Sequence, residues 1–85
     1  MTIRVTGRVQ GVGFRAFTRD EARSRNLSGW VRNEPDGSVS ALVGGSPADV
    51  GDFLTALRRG PPAAKVDTVE TDPADPPAGG FSILH

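Results

Sequence analysis

The chain contains no cysteine, which removes disulfides, zinc–thiolate sites and cysteine nucleophiles. Its one histidine is the last residue, His85, a poor place for a preorganised catalyst. No G-x-S-x-G run is present to suggest a serine hydrolase. Charge of one sign is missing too: ten basic and ten acidic residues cancel. No basic excess exists to drive phosphate-backbone binding, so nucleic acid is disfavoured as a partner. No apolar run approaches the roughly 18 residues of a membrane span, and MTIRVTGRV lacks the apolar core and cleavage site of a leader. The expectation is a cytoplasmic protein without a membrane partner. At 85 residues the chain is short of the about 100–200 that a full doubly wound nucleotide-binding domain takes.

What charge there is lies unevenly. Residues 1–40 hold seven Arg against four acidic residues, and residues 41–85 hold three basic against six acidic. A site in the front half would prefer anions.

Thr2–Thr6 alternates, with Ile3 and Val5 on one face, and reads as a strand. Gly7-Arg8-Val9-Gln10-Gly11-Val12-Gly13 follows, then a helix from about Phe14 to Arg25. Phe14, Phe17 and Ala22 share one side of it, with Glu21 falling among them. Asn26 suits the left-handed residue that ends a helix. Ser28–Asn33 and Ser38–Val43 read as two strands of a hairpin, joined by the turn Glu34-Pro35-Asp36-Gly37. The second helix has the fullest set of signals. Ser46 is its N-cap, Pro47 sits at N1 and Asp49 at N3, Val50, Phe53, Leu54 and Leu57 form the stripe, and Gly60 stops it. Val66–Thr71 is a weaker strand, Asp72–Gly80 a loop, and Phe81–Ile83 a short edge strand. Trp30 and the four Phe are read as core.

The order β-α-β-β-α-β with a short final strand predicts an α+β, ferredoxin-like two-layer sandwich, two helices on one face of an antiparallel sheet. That fold hosts many functions, so function has to come from the site.

Gly11-Val12-Gly13-Phe14-Arg15-Ala16 formally matches the dinucleotide fingerprint, with Glu34 some twenty residues on. Glu34 falls in a hairpin turn, however, and a second nucleotide-binding half has no room. The underlying physics survives: glycines between a strand and a helix start let backbone N–H groups face an anion. Arg15, in the first helical turn, offers a planar fork for phosphate. The residues alone equally allow a plain tight turn with a solvated Arg15. The carboxylate pairs Asp20–Glu21 and Glu34–Asp36 read as helix-surface and turn residues, and Asp72 and Asp75 as loop residues rather than a calcium site. Ser38–Val43 carries no aromatic to stack an RNA base.

Gly7-Arg8-Val9-Gln10-Gly11-Val12-Gly13-Phe14-Arg15, then Gly29-Trp30-Val31-Arg32-Asn33 and Asp36-Gly37-Ser38-Val39, closely resemble the acylphosphatase family. The likeness continues through Gly60-Pro61-Pro62, Val66-Asp67 and Gly80-Phe81-Ser82-Ile83, so it spans essentially the whole chain. It implies the ferredoxin-like sandwich, and hydrolysis of a carboxyl–phosphate anhydride to a carboxylate and inorganic phosphate. It also implies that backbone N–H groups of Gln10, Gly11, Val12, Gly13, Phe14 and Arg15 cradle phosphate, that Arg15 binds it, and that Asn33 orients the attacking water. The resemblance implies no metal, no cofactor and no phosphoenzyme. Ala16 stands where many relatives carry an aromatic, and Trp30 and Asp36 are read as structural.

With Met1 present and both ends of the family pattern matched, one domain over residues 1–85 and a monomer are expected. The expected partners are a small acyl phosphate as substrate and inorganic phosphate as product and inhibitor. The rivals are a non-catalytic phosphate- or acyl-phosphate-binding domain of the same fold, a domain cut from a larger carbamoyl-transfer maturation protein, and a structural interaction domain.

Overall fold

In the computed structural model, which describes residues 1–75 and 77–85, period-two burial sets the architecture. Ile3, Val5, Val31, Val39, Ala41 and Val43 are buried, while Arg4, Trp30, Arg32, Ser40 and Leu42 between them are not. A sheet covered on one face requires that alternation. The described elements are β1 (Thr2–Arg8), α1 (Phe14–Ser24), β2 (Ser28–Asn33), β3 (Val39–Gly44), α2 (Pro47–Arg59), β4 (Lys65–Asp72) and β5 (Phe81–Ile83). The sheet order is β4-β1-β3-β2-β5, and the helices cover the apolar face, giving the expected ferredoxin-like α+β sandwich.

One strand departs from the antiparallel expectation. β5 runs parallel to β2, so the sheet is mixed. The chain leaves β4 at one edge and returns along the opposite edge. β5 is therefore antiparallel to β4 and, through the alternation in between, parallel to β2. The loop expected over Asp72–Gly80 includes Pro76, which lies outside the described residues. Residues 73–75 and 77–80 are loop, and Asp72 belongs to β4.

The weak periodicity of β4 has a physical cause. Val69 pairs with Val5 and Val66 with Gly7, with a register shift between Thr6 and Gly7. Asp67 is the extra residue of a bulge, which turns two valines three apart onto the same face.

The helices follow their signals. In α1, Phe14, Thr18 and Ala22 are buried, and the Thr18 hydroxyl donates to Phe14 O at 2.8 Å. Glu21 sits among them because it is ion-paired, to Arg25 at 2.5 Å and to Arg59 of α2 at 3.6 Å. Asn26 ends the helix at φ 54°. In α2, Val50, Phe53, Ala56 and Leu57 are buried, and Phe53 meets Phe81 edge-on with ring centroids 6.2 Å apart.

Trp30 is not core. Val31, its neighbour, takes the inward position, so Trp30 turns to the open face opposite Leu42. There the Arg32 guanidinium lies 4.8 Å from its ring centroid. Phe14, Phe53 and Phe81 are buried, and Phe17 is half-buried against the core.

Candidate active site

Topology brings three strand ends together. β1 and β2 are each antiparallel to β3, and β5 is parallel to β2, so all three run the same way. They finish at one end of the sheet, where α1 begins. Residues 9–13 leave β1 there, Asn33 closes β2, and Leu84-His85 follow β5. A cavity of about 200 Å³ forms at this end, lined by Val9, Gly11, Gly13, Phe14, Arg15, Ala16, Asn33, Ile83 and His85. Val9 and Phe14 are buried and anchor the loop at both ends. Gly11 and Gly13, between them, take left-handed φ values of 72° and 79°. A Cβ at either would meet no atom within 4 Å. Only the backbone conformation demands glycine there, and the space above it stays open.

The start of α1 is unsatisfied in hydrogen-bond terms. Its N-cap is Gly13, with no side-chain cap and no acidic residue in the first turn. Phe17 N–H donates to Gly13 O at 3.0 Å, but among the described residues no protein acceptor takes the backbone N–H of any residue from Gln10 to Ala16. Of the residues with free N–H groups, Gly11, Gly13, Phe14, Arg15 and Ala16 border one cavity, together with the positive end of the helix dipole and the half-buried Arg15 side chain. Such a site favours an oxyanion.

Opposite the loop stands the β2–β3 turn. Gly37 N–H donates to Glu34 O at 3.1 Å, and Glu34 N–H to Ser38 O at 2.9 Å. Asp36 Oδ1 accepts from Ser38 N–H at 2.9 Å and from the Ser38 hydroxyl at 2.6 Å, and Asp36 also pairs with Arg4. These bonds, the Ser38 hydroxyl first, hold the Asp36 carboxyl below the usual carboxylate range. Glu34 is held low chiefly by the Arg32 guanidinium, 2.6 Å away. Asp36 and Glu34 thus fix the turn that presents Asn33, and neither lines the cavity.

Of the expected site residues, Gly11, Gly13, Phe14, Arg15 and Asn33 line the cavity together. Val12 is half-buried against the core, and the Gln10 side chain bonds to the β2–β3 turn. For those two residues, only the backbone N–H is left for a ligand. His85 was not expected here. Leu84 N–H donates to Val31 O at 2.8 Å, which prolongs the parallel pairing and sets His85 beside Asn33. Its Nδ1 lies 3.4 Å from an Arg15 guanidinium nitrogen.

Fold and site together define a small sandwich with an anion-binding loop, one arginine and one asparagine at a shared cavity. Among known proteins, the acylphosphatase family model matches residues 1–83. An acylphosphatase of Rhizobium etli is 56% identical over 72 residues, 85% of this chain and 77% of that protein. The crystal structure of acylphosphatase from Bacillus subtilis superposes with a TM-score of 0.92 at 41% identity, over 99% of this chain and 96% of that one. Full-length HypF, in a phosphate- and nucleotide-bound form, matches 99% of this chain at 28% identity and TM-score 0.78, using 11% of its own length. The chain belongs to the acylphosphatase family.

Proposed function

We propose that this enzyme hydrolyses acyl phosphates to a carboxylate and inorganic phosphate through the loop, Arg15 and Asn33. The observation that carries the reading is the meeting of free loop N–H groups, Arg15 and Asn33 on one cavity. Backbone N–H groups of Gln10–Arg15 and the Arg15 fork hold the phosphoryl oxygens, and Asn33 aims a water at phosphorus in line with the leaving group. The new P–O bond forms as the bond to the acyl oxygen breaks, and the electron pair leaves on the carboxylate. A carboxylate whose acid has a pKa near 4 needs no general acid to depart. The water's proton passes to a phosphoryl oxygen. Positioning and charge stabilisation supply the acceleration, as in phosphoryl transfer generally.

Such a mechanism calls for no metal, cofactor or phosphoenzyme. The same reading makes the chain a single-domain cytoplasmic monomer. Its partners are the acyl phosphate and inorganic phosphate, without nucleic acid or membrane. The family match along residues 1–83, the balanced charge and the lack of a described helix long and apolar enough to cross a membrane support it. A phosphate-binding domain without turnover is the less favoured alternative, because Arg15 and Asn33 are both present at the cavity. Hydrolysis of benzoyl phosphate in isotopically labelled water tests the bond cleaved. The label is expected in inorganic phosphate, and label in benzoate would refute attack at phosphorus.

A further inference from the structure

Gln10 reaches from the anion-binding loop to the β2–β3 turn and donates there twice. Its Nε2 lies 2.8 Å from Glu34 O and 2.9 Å from Ser38 O, the two carbonyls that close the turn just after Asn33. A carboxamide has two N–H donors, so both are committed. Neither carbonyl depends on Gln10 alone. Glu34 O also accepts from Gly37 N–H, and Ser38 O from Glu34 N–H. The hairpin would keep its turn without Gln10, so the glutamine acts as a tie between two segments. Among the described residues, no other side-chain hydrogen bond joins residues 9–13 to the β2–β3 hairpin.

We infer that Gln10 is a positioning residue, fixing the distance between the loop N–H groups that hold the phosphoryl group and the Asn33 carboxamide that aims the water. The inference rests on the roles proposed above for the loop and Asn33. In-line attack punishes misplacement, with a shift of about 1 Å costing on the order of 100-fold. The exposed Asn33 lies at a strand end next to a turn, where that shift is easiest. Gln10 holds the turn at the residues on either side of its tip.

The test is a double-mutant cycle on benzoyl phosphate hydrolysis, with phosphate inhibition measured alongside. Gln10→Met keeps the side-chain length and the backbone N–H but removes both donors. It is expected to lower kcat on the order of 10- to 100-fold, while the inhibition constant for phosphate moves by less than about twofold. In an Asn33→Ala background the same change is expected to cost nothing further, because the group it positions is gone. Gln10→Asn, with both donors on a stem one carbon shorter, is the milder variant and should show the same pattern with a smaller loss. An unchanged kcat, an equal loss in both backgrounds, or a loss of phosphate affinity matching that of kcat would overturn the inference. If Asn33→Ala alone leaves kcat unchanged, the proposed role of Asn33 fails and the inference falls with it. A lowered kcat in Asn33→Ala with an additive Gln10→Met loss sinks the tie alone.

Discussion

The two helices of this small protein begin in opposite ways. α2 is closed at its N-terminus: the Ser46 hydroxyl accepts from Asp49 N–H at 3.2 Å, Pro47 opens the first turn, and Asp49 faces the dipole. α1 has none of this. Gly13 offers no side-chain oxygen, no acid stands in the first turn, and the cation Arg15 sits where the dipole disfavours it. A glycine cap in place of Ser, Thr, Asp or Asn costs only about a few tenths of a kcal/mol. α1 gives up that stability, and the groups a cap would occupy remain available to an anion. One helix end is closed by its own side chains, and the other is left open where the proposed mechanism puts the phosphoryl group.

The sharpest way to break this contrast is to remove the cation. Arg15→Ala is expected to lower kcat/KM by 10³-fold or more, of the order seen when an arginine leaves a phosphoryl-transfer site. Phosphate inhibition should weaken in parallel while the circular dichroism spectrum stays unchanged. An active Arg15→Ala enzyme would mean that α1 begins openly for some other reason. Asn33→Ala comes next. It should lose roughly 10²–10³ in kcat and keep its inhibition constant for phosphate, because the proposed mechanism has it aim the water rather than hold the anion. Steady-state kinetics with phosphate titrated separates the two.

Exchanging the character of the helix ends is a milder test. Ser46→Ala should cost about 0.5–2 kcal/mol in denaturant unfolding and leave turnover alone. Ala16→Asp, which gives α1 the acid it lacks, should add about 0.3–1 kcal/mol at low salt and raise the inhibition constant for phosphate. The smallest effect concerns the turn. The Asp36 carboxyl is held below its usual range by Ser38 and then by Arg4. Its stabilisation is therefore complete above about pH 4, the ordinary carboxylate value. It is lost as pH falls through the lower folded-state value. Asp36→Asn should melt below wild type near neutral pH, and the gap should close in acid. A gap that persists there would remove the charge from the explanation.

Where the sequence could be read and where it could not divides along the same physical line. Local signals were legible: the Ser46-Pro47 start of α2, Asn26 at the end of α1, and the bounds of β2 and β5 all follow from residue chemistry next to the element concerned. Long-range pairing was not. Alternation alone leaves two faces open to Trp30, and only the register of Val31 against Ala41 decides between them. β4 looked weak because its two valines sit three apart, a spacing that the bulge at Asp67 reconciles. At the cavity, the loop glycines and Arg15 were visible as residues, while Asn33 was pointed to only by the resemblance to the acylphosphatase family. His85 depends on the parallel pairing of β5 with β2, and the Gln10 tie on carbonyls 24 and 28 residues away. Neither left a local trace.

The central claim is that the open start of α1 holds the phosphoryl group of an acyl phosphate while it is hydrolysed. The most direct test is hydrolysis of benzoyl phosphate by the purified protein, with EDTA present and inorganic phosphate titrated in. The account predicts rapid turnover that EDTA does not touch and that phosphate inhibits competitively. Absence of turnover, with phosphate still raising the melting temperature, would contradict it and leave a binding domain in place of an enzyme.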